Sequence, residues 1–402
     1  MTAITGLILS GGGARAAYQV GVLSAINRMR LGVNTDTGNP YSVICGTSAG
    51  AINAAFLACN ADRFNDGLDE LVQVWRNFRV EQVYRTDFLD MVNSGARWLT
   101  LLSLGWLITQ KRMRPKSLLN NDPLNELLRA RIDLQRLPGL LDAGHLQGLA
   151  ITASSYSTGE HVTFYESCRA VSPWIRNQRL ALQGSISHQH LLASSAIPFI
   201  FPAMQLEGPT GHGYFGDGSM RQTAPISPAI HLGADRVLVI GAGRMLEPQK
   251  KHIETPMYPT LAHIAGHALS SIFLDALAVD VERMQRVNQT LQLIPADKRS
   301  STHLRPVELL LISPSQRLDA IAARHANALP STVKRLLRTL GAAPSEHGQG
   351  QALVSYLLFE SGYTQELIAL GETDAQAQKT EIYKFFGWPM AVSNAGTTTG
   401  NT

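Results

Sequence analysis

The stretch Gly46-Thr47-Ser48-Ala49-Gly50 carries the strongest structural signal in this chain. The apolar run at residues 41–45 precedes it, and a run of small residues at 51–58 follows, which predicts a strand, a sharp turn and a helix. A G-x-S-x-G turn needs its glycines because the backbone is strained and the flanking chain is crowded. The turn lifts Ser48 toward the positive end of the following helix, so Ser48 is a candidate nucleophile.

A second glycine-rich turn lies near the N-terminus. Residues 4–9 read as a buried strand, Ser10-Gly11-Gly12-Gly13-Ala14-Arg15 follows, and a helix is predicted over 16–29. A glycine loop at a helix start presents free N–H groups to an anion. We expect the amides of Gly12 and Gly13 to hold an oxyanion, and Arg15 either to steady the loop or to attract a phosphate.

The order of apolar runs favours an α/β fold with a mostly parallel sheet covered on both faces. Strands are predicted at residues 4–9, 42–45, 148–153, 162–165, 236–240 and 307–312. Helices are predicted at residues 16–29, 49–59, 66–78, 123–131, 187–195, 260–291, 319–340, 351–360 and 376–386. We predict a catalytic domain over residues 1–315 and a helical C-terminal extension over 316–402.

Composition excludes several classes of protein. The 402 residues are 45% hydrophobic and 16% charged, which indicates a sizeable core, and a net charge of +4 is too small to indicate nucleic-acid binding. The three cysteines, Cys45, Cys59 and Cys168, lack the spacing of a disulfide framework or a zinc site. No acidic loop resembles a calcium site, so calcium is not indicated, and no cofactor is expected.

The N-terminus runs directly into a strand without a secretory signal, so a cytoplasmic location is expected. Residues 83–119 depart from the strand–helix rhythm and read as a lid-like insertion above the site. The segment from Trp98 to Lys116 combines two tryptophans and an apolar run with lysines and arginines, so it either docks transiently on an anionic membrane or forms a buried helix with a solvated charged end. Its apolar part, about a dozen residues, is shorter than the roughly 20 that span a bilayer.

A serine nucleophile needs a base, and the residues leave two choices open. One is a histidine oriented by a carboxylate, since the chain has 12 histidines. The other is Asp217, which lies between Gly216 and Gly218 after a short apolar piece; flanking glycines allow a carboxylate into a crowded site.

Several ordered motifs together resemble the patatin-like phospholipases of bacterial type. The resemblance rests on the glycine loop 11–15, the serine turn 46–50, the run Ala193-Ser194-Ser195-Ala196-Ile197-Pro198-Phe199-Ile200-Phe201-Pro202, and Asp217-Gly218 with the segments 224–226 and 232–239 that follow. It implies a three-layer αβα fold, Ser48 as nucleophile, Asp217 as base, an oxyanion loop at Gly11, Gly12, Gly13 and Arg15, and no catalytic histidine or metal. Ala16 and Ser219 depart mildly from the family pattern.

The expected activity is hydrolysis of fatty-acyl esters in phospholipids or related lipids. The head group, the acyl position and the oligomeric state stay open, with a homodimer conceivable. One rival is a dinucleotide-binding protein, because Gly11, Gly13 and Ala16 fit that fingerprint and Asp36 follows. Others are a Ser–His–Asp hydrolase that uses His212, His231, His263 or His267, and a non-catalytic regulatory protein on the same fold.

Overall fold

In a computed structural model of the protein, the described residues are 3–33, 38–85, 117–176, 178–208, 211–243, 258–299, 301–302, 304–339, 341–342 and 350–389. Of the predicted insertion at 83–119, only residues 83–85 and 117–119 are described. The segment from Trp98 to Lys116 lies outside the described residues, and so does Asp36.

Within the described ranges, ten strands form one sheet. They are β1 (Thr5–Leu9), β2 (Val43–Thr47), β3 (Gly148–Ser155), β4 (His161–Ser167), β5 (Ile175–Arg176), β6 (Arg179–Gln183), β7 (Met204–Gly208), β8 (Gly211–Asp217), β9 (Arg236–Ile240) and β10 (Glu308–Ile312). All six predicted strands are present. The four that the sequence analysis missed, β5 to β8, are short or half-exposed, so they lack a long apolar run.

The helices of the described residues follow the chain order. They are α1 (Ala17–Gly32), α2 (Ala49–Ala58), α3 (Phe64–Arg76), α4 (Asp122–Arg131), α5 (Leu137–Asp142), α6 (His188–Ser194), α7 (Ser227–His231), α8 (Leu261–Ser270), α9 (Ala276–Leu293), α10 (Ala296–Arg299), α11 (Leu318–His325), α12 (Ser331–Thr339), α13 (Gln351–Leu357), α14 (Ser361–Ala377) and α15 (Lys379–Phe386). The predicted helix at 319–340 is two helices, because Pro330 cannot donate to the backbone ladder.

The sheet is mostly parallel where it holds the two glycine-rich turns. Its order is β10-β9-β1-β2-β3-β4-β6-β5, and β8 pairs with β3 and β7 beside that path. The strands from β10 to β3 run parallel, with Leu7 opposite Ile44 and Leu238. Since parallel strands end at the same edge, the turns after β1 and β2 lie side by side.

Side chains alternate between two apolar layers, one on each face of the sheet. Leu7, Leu9 and Ile44 point into the larger core with α1, α2, α3 and α14. Ile8 and Val43 point into the smaller core, which includes residues of α7 and α9. This alternation is the period of a strand buried on both faces, and it gives the predicted three layers.

The C-terminal helices share the larger core with the N-terminal half. α14, which lies in the predicted helical extension but was given no bounds of its own, packs against α1 at very close range. A Cβ on Gly21 would lie 2.0 Å from the Ile368 carbonyl oxygen, and one on Gly371 would lie 2.3 Å from that of Tyr18. A buried hydrogen bond of 3.0 Å joins the Tyr18 hydroxyl to Asp374. Glycine on both helices therefore permits a contact that any side chain would block. The domain boundary at 315 stays a prediction.

A π-helical turn at Ser271–Asp275 joins α8 to α9, so the helix predicted at 260–291 is continuous in the structure. The joined helix, Leu261–Leu293, is long and apolar enough to cross a membrane by length and composition alone. Core helices of soluble proteins can have the same length and composition. Phe273 and Leu277 are buried against the rest of the molecule, and the Asp280 carboxylate accepts a 2.9 Å hydrogen bond from the Ile226 amide.

Candidate active site

Ser48 lies at the apex between β2 and α2 with a positive φ, which is rare for a residue with a side chain: φ is 56° and ψ is −132°. A Cβ on Gly46 would lie 2.4 Å from the Gly50 carbonyl oxygen, and one on Gly50 would lie 2.3 Å from that of Leu9. The two flanking glycines therefore allow the turn to close on itself and on the end of β1. The Ser48 amide donates a 2.9 Å hydrogen bond to Ser194 Oγ, which fixes the strained backbone from the neighbouring helix α6.

Asp217 ends β8, opposite Ala153 of β3, and it is fully buried. Its Oδ1 accepts a 2.9 Å hydrogen bond from the Ser219 amide. Gly218 is required here, because a Cβ would lie 2.2 Å from the Thr152 carbonyl oxygen. The antiparallel pairing of β8 with β3 thus places this carboxylate near the carboxyl end of β2. No local sequence pattern predicts that pairing.

The hydroxyl of Ser48 and the carboxyl of Asp217 face each other. Burial raises the pKa of Asp217 to about 6, and the hydroxyl of Ser48 and then the amide and hydroxyl of Ser219 oppose that rise. Ser48 Oγ and Asp217 Oδ2 are both buried without a hydrogen bond of regular geometry. A buried polar atom without a partner is costly, which is typical of groups kept ready for chemistry.

The glycine loop lies beside both groups. A Cβ on Gly11 would lie 2.4 Å from Ser219 Oγ, and one on Gly13, which has φ 54°, would lie 2.4 Å from the Tyr356 carbonyl oxygen. Within the described part of the chain, the amides of Gly12 and Gly13 donate to no acceptor. The loop therefore presents two N–H groups without an acceptor, and Gly13 lines the same cavity as Ser48.

Arg15 is buried and lies behind the loop. Its Nε donates a 2.8 Å hydrogen bond to Ser355 Oγ, and its guanidinium lies 4.0 Å from the centre of the Tyr356 ring. Stacking of a cation on an aromatic ring is stabilising, and more so away from water. Of the two roles expected for Arg15, this position suits stabilisation of the loop rather than attraction of a phosphate. The two contacts connect the loop to α13.

Thr47, next to Ser48, makes two side-chain contacts that the sequence analysis did not find, and one of them reaches the turn that follows Asp217. Thr47 Oγ1 lies 2.6 Å from Thr152 Oγ1, and it accepts a 2.9 Å hydrogen bond from Gln222 Nε2. Gln222 closes the short helical turn Gly218–Arg221 that follows Asp217. A pair 175 residues apart leaves no local pattern, so only the fold reveals it.

An apolar cavity extends from Ser48 between three helices. Ser48, Ile52 and Phe56 line it at a spacing of four residues, which places them on one face of α2. The rest of the lining is almost entirely hydrophobic: Gly13, Ala49, Leu71, Val74, Trp75, Phe78, Val83, Leu124, Leu127, Leu128, Arg131, Ile132, Ser195, Ile197, Phe201 and Phe359. Such a cavity suits an acyl chain, with its reactive end at Ser48.

The histidines proposed for a triad lie elsewhere. His212, His263 and His267 are exposed, and His231 stacks on Trp174 at 4.4 Å. No histidine lines the Ser48 cavity among the described residues. A dinucleotide-binding protein would have an acidic residue at the end of its second strand. Here β2 ends at Thr47 and is followed by the serine turn. In the same part of the chain, no three His, Cys, Asp or Glu side chains cluster closely enough to hold a metal.

The cysteines are free thiols. Cys45 and Cys59 are buried, and Cys168 is exposed. Burial raises the pKa of the Cys59 thiol to about 12, and it also raises the pKa of Cys45. Both buried thiols therefore stay protonated and serve as small core side chains.

Comparison with solved structures gives distant likenesses. VipD from Legionella pneumophila is 15% identical with a TM-score of 0.32, and the match covers 92% of this chain and 67% of VipD. Human GIVD cytosolic phospholipase A2 is 11% identical with a TM-score of 0.44, and the match covers 96% of this chain and 60% of the human one. A chain from the SpcU–ExoU complex of Pseudomonas aeruginosa is 14% identical with a TM-score of 0.25, at 95% and 80% coverage.

The family comparison is more specific. No curated protein matches the sequence. The profile of the patatin-like phospholipases matches residues 7–230, which is more than half of the 402 residues and contains both turns and Asp217. The chain belongs to the patatin-like phospholipase family.

Proposed function

We propose that this protein hydrolyses fatty-acyl esters of phospholipids or related lipids through a dyad of Ser48 and Asp217. One observation carries the proposal: Ser48 Oγ, which lines an apolar cavity, and Asp217 Oδ2 are both buried without a hydrogen bond of regular geometry, and, against the rise that burial causes, the Ser48 hydroxyl lowers the pKa of the Asp217 carboxyl. Membership of the family supports lipid ester hydrolysis as the reaction class.

In the first half of the reaction, Ser48 Oγ attacks the ester carbonyl carbon while Asp217 takes the hydroxyl proton. Burial raises the pKa of Asp217 to about 6, which makes it a stronger base than an exposed aspartate while it stays ionised at neutral pH. Proton transfer concerted with attack avoids a free alkoxide. The carbonyl oxygen gains the negative charge of the tetrahedral intermediate.

The amides of Gly12 and Gly13 stabilise that charge. Both lack an acceptor within the described residues, and Gly13 lines the cavity beside Ser48. Backbone donors that are fixed before the reaction need no reorganisation when the charge develops, and each is worth roughly 3 to 4 kcal/mol in a comparable site. The contacts of Gly13 with Tyr356 and of Arg15 with Ser355 hold the loop in place.

In the second half, protonated Asp217 donates its proton to the leaving alcohol, and the acyl group stays on Ser48 as an ester. Asp217 then takes a proton from water, which attacks the acyl carbon and releases the fatty acid. Ser48 recovers its proton from the carboxyl group, so one water is consumed per ester cleaved. The same carboxyl alternates between base and acid, so the cycle needs no histidine.

The lining of the cavity indicates the substrate. Ile52 and Phe56 continue the wall that begins at Ser48, so an acyl chain bound along α2 would meet only hydrocarbon. The proposal includes two further parts. The enzyme is cytoplasmic and contacts the membrane surface transiently, and the segment from Trp98 to Lys116 makes that contact.

Product analysis with a phosphatidylcholine that carries two different acyl chains tests the function. We expect free fatty acid and lysophospholipid from the wild type and neither from Ser48→Ala. Release of phosphate or of the head group alone would contradict an acyl hydrolase. Equal product from wild type and Ser48→Ala would remove Ser48 from the mechanism.

A further inference from the structure

The apolar cavity has a thin wall between α3 and α4. Val74 of α3, and Leu127 and Arg131 of α4, line this cavity and also line a second, larger groove. Val74 and Leu127 are half-buried, as expected of side chains that face both spaces. A single layer of side chains therefore separates the two cavities.

The two sides of this wall differ in polarity. Toward Ser48 the neighbours are hydrophobic, such as Phe56, Leu71 and Leu128. On the other side the groove is lined by exposed polar and acidic side chains, including Asp66, Asp69 and Glu70. An alkyl chain gains free energy up to the wall and none beyond it, since the groove is open to water.

The positions of the lining residues along the helices indicate how far the cavity extends from Ser48. Ser48, Ile52 and Phe56 span two turns of α2, so the lining of that helix extends about 12 Å from the nucleophile. On α3, the lining residues Leu71, Val74 and Trp75 follow the helical repeat, and Val74 is the one that also borders the groove.

We infer that Val74 and Leu127 determine the length of the acyl chain that this enzyme accepts, by closing the acyl cavity between α3 and α4. The inference rests on the proposed function and adds the specificity of the same site. Smaller side chains at the two positions lengthen the apolar cavity by the volume that they vacate and admit longer chains. A larger side chain at 127 shortens the space.

Relative turnover of p-nitrophenyl octanoate, dodecanoate and palmitate tests this inference. The kcat/KM ratio of palmitate to octanoate should rise in Val74→Ala and Leu127→Ala, by about fourfold for each further methylene that becomes buried, and should fall in Leu127→Phe. The ratio is measured within one preparation, so a fraction of misfolded enzyme cancels. Val72→Ala is the matched control, because Val72 is buried in α3 but does not line the cavity.

The outcomes separate the two proposals. If Ser48-dependent hydrolysis is present and the ratio in all three variants equals that of the wild type and of Val72→Ala, the inference about the wall is wrong and the function stands. If Ser48-dependent hydrolysis of phosphatidylcholine and of all three esters is absent, the proposed function fails, and the inference fails with it.

Discussion

Asp217 shows at the scale of a residue how burial prepares a group for chemistry. Its carboxyl is removed from water, one oxygen is held by the Ser219 amide, and the other has no regular partner beside the Ser48 hydroxyl. Burial disfavours the charged form, so the pKa is raised to about 6. The same energetic cost that makes Asp217 a better base also reduces the stability of the fold.

The first prediction concerns the pH dependence of hydrolysis. The base must be ionised, so kcat/KM should fall about tenfold per pH unit once the pH drops below the pKa of Asp217, about 6. A rate profile from pH 4 to 8 with a soluble ester measures this. The account is contradicted if replacing a single described histidine, such as His212 or His231, abolishes the acidic limb.

The second prediction concerns stability. The pKa of Asp217 is raised in the folded protein to about 6, so its favourable contribution is complete below the unfolded value, near 4, and is lost as the pH rises through 6. Asp217→Asn should therefore be more stable than the wild type above pH 7, by roughly 1 to 3 kcal/mol. Asparagine keeps an acceptor for the Ser219 amide.

Urea unfolding of both proteins at pH 4 and pH 8 measures the difference. The stability gap between variant and wild type should widen from the lower to the higher pH. A variant that is less stable than the wild type at pH 8 would show that the carboxylate is stabilised by its surroundings rather than strained by them.

At the scale of elements, close approaches through glycine build the site and the core. Gly46 and Gly50 let the start of α2 meet β1 and β2, and Gly21 and Gly371 let α1 and α14 nearly touch. The serine turn could be predicted, because its glycines flank a strand and a helix in sequence. The α1–α14 contact could not, because each glycine alone reads as a helix breaker.

The third prediction follows from this helix pair. Gly371→Ala places a Cβ 2.3 Å from the Tyr18 carbonyl oxygen, so α1 and α14 must separate. Core overpacking of this kind costs about 1 to 3 kcal/mol. Gly139→Ala in α5 is the control, because nothing lies within 4 Å of the added Cβ and alanine favours a helix.

Thermal unfolding of the two variants measures the effect. We expect a lower Tm for Gly371→Ala and an equal or higher Tm for Gly139→Ala. Equal values for both would mean that the two helices do not approach as closely as the structure has them.

At the scale of the whole molecule, the C-terminal helices complete the catalytic half. The Tyr356 carbonyl meets Gly13, Ser355 accepts from Arg15, and Asp374 accepts from Tyr18. Six of the ten described strands, the serine turn and the glycine loop could be predicted from local patterns. Hydrogen bonds between Ser48 and Ser194 and between Thr47 and Gln222 could not, because each depends on the arrangement of distant segments.

The fourth prediction tests the domain boundary that the sequence analysis placed at residue 315. A fragment of residues 1–315 loses α13 and α14, and with them the buried partners of Arg15 and Tyr18. Leaving buried polar groups unpaired and apolar core exposed should prevent cooperative folding. Circular dichroism and ester hydrolysis of the fragment measure this, and a folded, active fragment would show that the extension is dispensable.

The dyad is tested most directly by labelling the nucleophile with a fluorophosphonate and locating the adduct by mass spectrometry. The account predicts one adduct per chain, on Ser48, and a labelling rate that falls at least about 100-fold in folded Asp217→Asn, since a positioned general base contributes that much or more. An adduct on another residue, or an unchanged rate in Asp217→Asn, would contradict it.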